Sequence, residues 1–587
     1  MPGQLIYDGD CGFCRRCIAR WRSITGGRGQ AIPYQEAAPL HPEIPLEEFR
    51  RAVQYIDQNG NRSSGALAIF ESLTVVPGYR WLSWAYRHVP LFAPASDGIY
   101  REVAGHRNAA TWITRKLWGA PEASFAAAQY HTAVWLFRRV LAILFLISFL
   151  SFGVQVRGLI GSHGILPVDQ FLDAVKNSGA SFLSTPTIFW WWRSDSALEW
   201  TCWAGAACSL ICAFSFFQRA LFCLIFILYL SLVTAGQVFM GYQWDFLLLE
   251  CAFLAIFLTP AGSRVWLGRW LLFRFMFESG CVKLLSHDPT WANLTALSYH
   301  YETQPLPTPL GWYAFQLPLW FQKMSTASVF VIELAAAFLI FGPRRMKQLA
   351  ALAFTFLQLL ILLTGNYACF NLLAIGLCLF LLDDECWGRL ARAGRLADSI
   401  FSRFASAILM VFVLIVSGTE IVAMFSTRIP AFAESLVNRL NPFGVVNSYG
   451  LFASMTTERI EIEVQGSDDG NTWRTYAFRY KPGDPRRAPP WVAPYQPRLD
   501  WQMWFAALGN YRENPWFSSF MYRLLTASPE VLALLERDPF AGRRPKYVRA
   551  LAYEYRFSDI HVKETTHMWW LREPKGTYFP PSSLRIP

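Results

Sequence analysis

The chain has 587 residues, 53% of them hydrophobic and 16% charged, with a mean hydropathy of +0.23. That balance excludes a wholly soluble chain and indicates a polytopic membrane protein with soluble ends, long enough for several domains. The net charge is +11, but the basic residues are spread along the chain and many flank apolar runs, where they set topology; there is no nucleic-acid motif.

Met1–Asp10 has neither a basic n-region nor an apolar h-region, so it does not read as a signal peptide, and the first domain is expected in the cytoplasm. Residues 1–130 read as a small α/β domain. Gln4–Tyr7 is a short strand, and Asp8–Cys14 is a turn opening a helix over Arg15 to about Ser23. Arg51–Asp57 is a second strand, and Gln58–Asn61 carries a hairpin signal. Helices are expected over Gly65–Leu73, Tyr79–Arg87 and Gly98–Leu117. A strand followed by Cys-x-x-Cys at a helix start is the thioredoxin-like order.

Cys11, at the positive end of a helix, is expected as the attacking thiolate, and Cys14, one turn on, as the resolving thiol. Arg15 and Arg16 would favour the thiolate, and Asp8 and Asp10 would oppose it. The alternative is half of a zinc site or a packed pair, but this domain has no second Cys-x-x-Cys and no His-x₃-His. Cys17 reads as a packed small residue.

The run Tyr7-Asp8-Gly9-Asp10-Cys11-Gly12-Phe13-Cys14, with Arg62–Leu67 and the aromatic stretch Tyr79–Pro90, resembles the DCC family of thiol-disulfide oxidoreductase-like proteins. The resemblance implies dithiol chemistry at Cys11 and Cys14 and a thiol redox partner. It departs from thioredoxins proper in having no proline before the strand at Arg51–Asp57.

Residues 131–426 read as a transmembrane helical domain, surrounded by membrane lipids. Apolar runs such as Val140–Phe149, Leu221–Val233 and Ala407–Val416 approach the roughly 20 residues that a spanning helix needs. Nine spans are expected, near 134–153, 199–217, 220–239, 244–260, 267–285, 327–342, 347–364, 367–382 and 404–425. With the N-terminus inside, Arg138 and Arg139 flank the inner end of the first span. The later inner turns hold Arg219; Arg264 and Arg269; Arg344, Arg345 and Lys347; and Arg389, Arg392, Arg395 and Arg403. The outer turns Met240–Gln243 and Gly365–Asn366 carry no basic residue. Nine spans put the loop Ser286–Thr326 and the C-terminal segment outside; eight would put the C-terminal segment inside.

Asp245, Glu250, Glu278, Lys283 and Glu333 fall within spans. Such groups pair inside the bundle or line a polar cavity. The loop after the fifth span gathers His287, Asp288, His300 and Glu302, but their spacing matches no standard metal site, and no metal or cofactor is expected.

Residues 427–587 read as a soluble α+β domain. Arg459–Val464 alternates as a half-buried strand, Ser467–Asn471 is a turn, and Trp473–Tyr480 is expected to return as an antiparallel partner. Helices at Trp501–Leu508, Phe517–Leu525 and Pro529–Glu536, a strand at Tyr547–Phe557 and a short polar tail follow. No cysteine follows Cys386, so this segment holds no disulfide.

Asn447–Phe452, Gly466–Gly470, Lys481–Asp484, Pro494–Phe505 and the loop Glu302–Leu310 resemble the lipase maturation factor family, with similarity over most of residues 130–560. The resemblance implies a multipass membrane protein whose soluble part faces the endoplasmic reticulum lumen in eukaryotes, where it helps secreted lipases become active. It makes Tyr449, Tyr495, Arg498, Asp500, Trp501 and Trp504 the candidate client-binding residues. Fusion to a cytoplasmic DCC-like domain implies a bacterial inner-membrane chain with a periplasmic client.

The fold class is therefore mainly α: a polytopic bundle of about nine spans, with an N-terminal thioredoxin-like domain and a C-terminal α+β domain with antiparallel strands. The leading function is maturation of an exported, lipase-like client by non-covalent contacts, with the Cys-x-x-Cys as a protein-disulfide oxidoreductase site. That division predicts maturation that survives Cys11→Ser and fails on disruption of Arg498–Trp504. One alternative is a membrane enzyme with Lys283 as base, because Glu278, Lys283 and the aromatic loop are loosely similar to vitamin K-dependent carboxylase-type domains. Another is a redox sensor.

Overall fold

A computed structural model describes residues 3–118, 129–215, 217–258, 262–392, 400–426 and 429–584. The chain forms two compact units: Met1–Gln129 with Phe341–Gln348, and Tyr130–Ile340 with Leu349–Pro587.

In the first unit, β1 (Gln4–Tyr7) lies between a parallel neighbour, β2 (Gln30–Pro33), and an antiparallel one, β3 (Gln54–Ile56). A tight turn joins β3 to β4 (Arg62–Ser64), giving the order β2-β1-β3-β4. The Asp57 carboxylate accepts the backbone N–H groups of Asn59 and Asn61 at 2.8 Å, and Gly60 supplies the left-handed conformation at φ +83°. α1 (Gly12–Thr25) stops at Gly26, φ +59°, and buries Ile18 and Trp21 against Leu5, Tyr55 and Ala68.

β2 is not among the expected strands; four residues that end in proline, beside a Gly-rich turn, carry no alternation. α2 (Gly65–Ser72) and α3 (Arg80–His88) match expectation. The single helix expected over Gly98–Leu117 is two, α4 (Phe92–Gly105) and α5 (Arg107–Trp118), broken at His106.

Helical segments stand at each of the nine expected span positions, in the second unit except for Phe341 and Arg344–Gln348. They are α6 (His131–Gly153), α7 (Asp195–Phe214), α8 (Gln218–Ala235), α9 (Gln243–Phe257), α10 (Gly262–Leu285), α11 (Leu319–Phe341), α12 (Arg344–Thr364), α13 (Phe370–Leu381) and α14 (Ile400–Phe425). Residues 216, 259–260 and Arg395, named in the span and turn expectations, lie outside the described residues.

Among the described residues, six of these helices are long and apolar enough to cross a membrane: α6, α7, α8, α11, α12 and the Ala407–Phe425 part of α14. The other three fall short for different reasons. α9 has only 15 residues, α13 is a short apolar helix, and α10 carries Arg269, Arg274, Glu278 and Lys283. α11 contains a turn of π-helix, Val331–Ala335, which holds Glu333.

Ser194 caps α7 by accepting the Ala197 N–H at 3.0 Å, with Asp195 in the first turn against the helix dipole. Gly205 of α7 lets the Phe149 ring of α6 approach closely, and Phe145 and Phe149 both meet Tyr229 of α8 edge-on.

The second sheet, order β6-β5-β7-β8, is antiparallel throughout. β5 (Arg459–Ser467) pairs along its whole length with β7 (Tyr547–Phe557). The return strand expected over Trp473–Tyr480 forms only as β6 (Arg474–Thr475), because Ala477 bridges instead to Arg537. A polar tail is expected at the C-terminal end, yet β8 (Trp570–Ser582) runs there; most of its side chains are exposed, so no alternation marks it. α15 (Arg498–Ala507) and α16 (Pro515–Leu525) pack between sheet and bundle, and one continuous core runs from Phe137 and Tyr229 through Trp244 and Trp501 to Phe517 and Val548.

Candidate functional site

Cys11 is the N-cap of α1, and its Sγ accepts the Cys14 backbone N–H at 3.2 Å. The loop that presents it is tied down. Phe13 N–H donates to Thr111 Oγ1 at 3.1 Å, Gly9 N–H to Gln35 Oε1 at 3.2 Å, and a side chain at Gly12 would meet Thr111. The hydrogen bond from the Cys14 thiol is the largest influence holding the Cys11 thiol down, to about 6; partial burial and Asp8 oppose it, and the Cys14 N–H and Arg107 assist. Cys14 is pushed well above the ordinary thiol range by the same hydrogen bond and by burial.

The assisting cation is Arg107, which reaches Asp8 at 3.4 Å and the Arg51 carbonyl at 2.9 Å. Sequence reading passes over it because it lies 96 positions after Cys11; Arg15 is exposed and Arg16 is buried. An apolar pocket of about 360 Å³ opens beside Cys14 and Cys17, with Trp21, Phe49 and Phe70 in its lining. This arrangement suits thiol-disulfide exchange: a thiolate at neutral pH, a held-back second thiol and an apolar contact surface.

The ionisable residues of the helices pair across the second unit. Asp245 accepts both guanidinium nitrogens of Arg498 at 2.6 and 2.9 Å, and the Tyr229 hydroxyl at 2.6 Å. Glu250 pairs with Arg274 and accepts the Asn447 N–H at 3.0 Å and the Tyr449 hydroxyl at 2.7 Å. Glu278 accepts the Tyr449 N–H at 2.8 Å. Lys283 pairs with Glu333 at 2.8 Å and donates to the Ser279 carbonyl. Glu278 and Lys283 therefore look to different partners rather than sharing a polar site, and Lys283 is held as one half of an ion pair.

The six candidate client-binding residues mostly face inward. Tyr449, Arg498, Asp500 and Trp501 are buried. Asp500 accepts the Tyr480 and Lys481 N–H groups at 2.8 and 2.9 Å, and burial raises its carboxyl against their pull. Trp501 packs edge-on against Trp244. Trp504 is half-buried, its indole N–H donating to the Thr303 carbonyl at 2.7 Å, and Tyr495, also half-buried, contacts Tyr480. Tyr449, Arg498, Trp501 and Trp504 tie the C-terminal segment to the bundle and its Thr303 loop, while Tyr495 and Asp500 hold the segment to itself, so disrupting Arg498–Trp504 reports on folding and does not isolate recognition.

The loop residues weighed as metal ligands are dispersed. Asp288 accepts from Thr290 and from the Met455 N–H, and Glu302 from the Phe557 N–H. His300 lies 3.2 Å from the Tyr367 hydroxyl, and burial followed by the charge of Lys283 pushes it down to about 4. Among the described residues no three His, Cys, Asp or Glu side chains gather for a metal ion.

A network missed by the sequence reading lies on β5. Arg459, buried, pairs with Glu461 at 2.6 Å, and Glu461 pairs with Lys481 at 2.8 Å. Arg459 and Glu461 are two apart on a strand and so share a face, which is the available signal.

Three family models match the chain: lipase maturation factor transmembrane domain over residues 132–389, lipase maturation factor C-terminal domain over 445–580, and DCC1-like thiol-disulfide oxidoreductase over 5–112. Lipase maturation factor 2 of Xenopus laevis is 36% identical over 576 residues, covering 76% of this chain and 81% of that protein. Lipase maturation factor 2 of Homo sapiens is 34% identical, covering 77% and 83%. Lipase maturation factor 1 of Bos taurus is 33% identical over 522 residues, covering 80% and 92%. No solved structure matches the chain.

Proposed function

Because this chain belongs to the lipase maturation factor family, we propose that it is a multipass membrane factor that matures exported, lipase-like proteins. The observation that carries this reading is the tandem match of the family's transmembrane and C-terminal models along one chain. Its client contacts are non-covalent, since no cysteine follows Cys386.

The N-terminal unit is a thioredoxin-like thiol-disulfide oxidoreductase acting with a thiol redox partner. Its parallel β1/β2 and antiparallel β3/β4 pairs, with Cys-x-x-Cys opening the helix after β1, support that fold. The Cys11 thiolate attacks a partner disulfide, forming a mixed disulfide and releasing one thiolate. The Cys14 thiol then loses its proton and attacks Cys11, leaving a Cys11–Cys14 disulfide and a reduced partner.

The chain crosses a bacterial inner membrane nine times, with residues 1–130 in the cytoplasm, 131–426 as the membrane domain and 427–587 in the periplasm. Loop charge and the nine helical positions support this count.

The test is co-expression with an exported lipase in a host lacking the chain, reading lipase activity per secreted molecule. The chain should raise that ratio and Cys11→Ser should leave it raised; a ratio indifferent to the chain refutes the reading. For sidedness, alkaline phosphatase fused at Pro587 should be active and green fluorescent protein there dark; the reverse would place the C-terminal segment inside.

A further inference from the structure

Three aromatic rings and one ammonium meet beside the C-terminal sheet. Trp312 and Tyr313 belong to the short helix Pro309–Phe315, and Trp569 directly precedes β8. The ring planes stand at 88° for Trp312 and Tyr313, 87° for Tyr313 and Trp569, and 69° for Trp312 and Trp569, so they form three walls of a box. The Lys563 Nζ fills it, 4.4 Å from the centre of the Trp312 ring, 4.8 Å from Tyr313 and 3.9 Å from Trp569. The face of an aromatic ring is negative, so all three walls attract a cation held among them.

The walls are fixed without the lysine. Trp312 is fully buried and packs in one cluster with Phe557 and Trp570. The Trp569 N–H donates to the Pro485 carbonyl at 2.9 Å, and its own carbonyl accepts the Ser558 N–H at 3.1 Å. Gln316, just past the short helix, donates to the Ser558 carbonyl at 3.0 Å.

The occupant is held more lightly. Lys563 stands on α17 (Ile560–Thr566), which connects β7 to β8 and buries no side chain. Its cap is internal, the Asp559 carboxylate accepting the Val562 N–H at 2.7 Å. Among the described residues, Lys563 makes the one side-chain hydrogen bond that leaves the 559–568 connection. A primary ammonium also suits the box poorly. It has three N–H donors, and the box supplies one acceptor, the Tyr313 hydroxyl at 3.1 Å. A trimethylammonium has no donor to satisfy and turns apolar methyl groups to the rings while keeping its charge.

We propose that the box is a binding site for a quaternary ammonium group of the choline type, and that Lys563 closes it as a built-in stopper. The site neither requires nor replaces the maturation reading. Three residues, Gln316–Pro318, separate the short helix from α11, one of the helices able to cross a membrane. Tyr313, Leu317, Leu319 and Trp320 are exposed around that junction, which sets the box at headgroup depth and makes a phospholipid headgroup the source of the ligand.

The test uses the purified full chain in maltoside micelles, whose headgroups carry no cation, with isotope-labelled choline as the probe. Lys563→Ala should bind the probe roughly tenfold or more tightly than the wild type, and adding Tyr313→Ala should undo the gain. Tetramethylammonium should displace the probe and ammonium chloride should not. No gain from Lys563→Ala, or equal displacement by the two ions, overturns the proposal. In nanodiscs, the Lys563→Ala chain should bind labelled choline more weakly in phosphatidylcholine than in phosphatidylglycerol, because the lipid headgroup competes. Equal affinity in the two lipids overturns the headgroup as the source and assigns the site to a soluble choline compound.

Discussion

At the scale of single residues, Cys11 and Arg498 do different work and yield different measurements. With its thiol held at about 6, mainly by the Cys14 thiol, Cys11 is protonated and slow below that pH and ionised above it. Its alkylation rate should therefore climb to a half-maximum near pH 6 and level off by neutrality, and Cys14→Ala should move the half-maximum upward. A wild-type half-maximum near pH 9, the ordinary thiol value, would contradict the cap geometry.

Arg498→Ala would leave the Asp245 carboxylate buried with only the Tyr229 hydroxyl. The expected loss is about 3–5 kcal/mol, read as a lowered thermal midpoint in detergent. Arg498→Met combined with Asp245→Leu should recover much of it, because no charge then remains unmatched. The two residues also differ in legibility. Cys-x-x-Cys declares itself because its chemistry is local. The partner of Arg498 lies 253 positions away, and the run of aromatic and charged residues around it reads as a client-binding face, although most of its side chains turn inward in the fold.

At the scale of elements, the helices and the strands were unequally visible. Each expected span has a helix, since a long apolar run leaves the backbone few alternatives in lipid. Length and charge separate six of them from α9, α10 and α13, whose polar groups are matched by the C-terminal segment or by neighbouring helices. Strands β2, β6 and β8 depend on partners rather than on their own alternation, so the sequence pattern does not mark β2 or β8 and overstates the length of β6.

Helix contact gives a prediction of its own. Gly205→Leu would drive a side chain into the Phe149 ring between α6 and α7, costing about 1–3 kcal/mol by overpacking. Phe149→Leu should relieve part of that loss in the double variant. Unchanged thermal midpoints for Gly205→Leu would mean that the two helices do not meet there.

At the scale of the whole molecule, the C-terminal segment and the helices share one core, from Trp244 through Trp501 to Phe517. Residues 429–587 expressed alone should therefore lack a cooperative thermal transition and exchange their amide hydrogens fast. A stable isolated fragment with slow exchange would show that the segment carries a sufficient core of its own.

The Asp245–Arg498 pair also has a consequence in time. Asp245 leaves the ribosome 253 residues before the guanidinium that neutralises it, which at the usual pace of synthesis is a delay on the order of 10–50 s. Throughout that interval the nascent α9 holds a carboxylate whose lasting counter-ion has not yet been made. The insertion machinery must shelter it meanwhile, and a nonsense mutation between codons 246 and 498 leaves it orphaned for good, marking the truncated product for quality-control degradation.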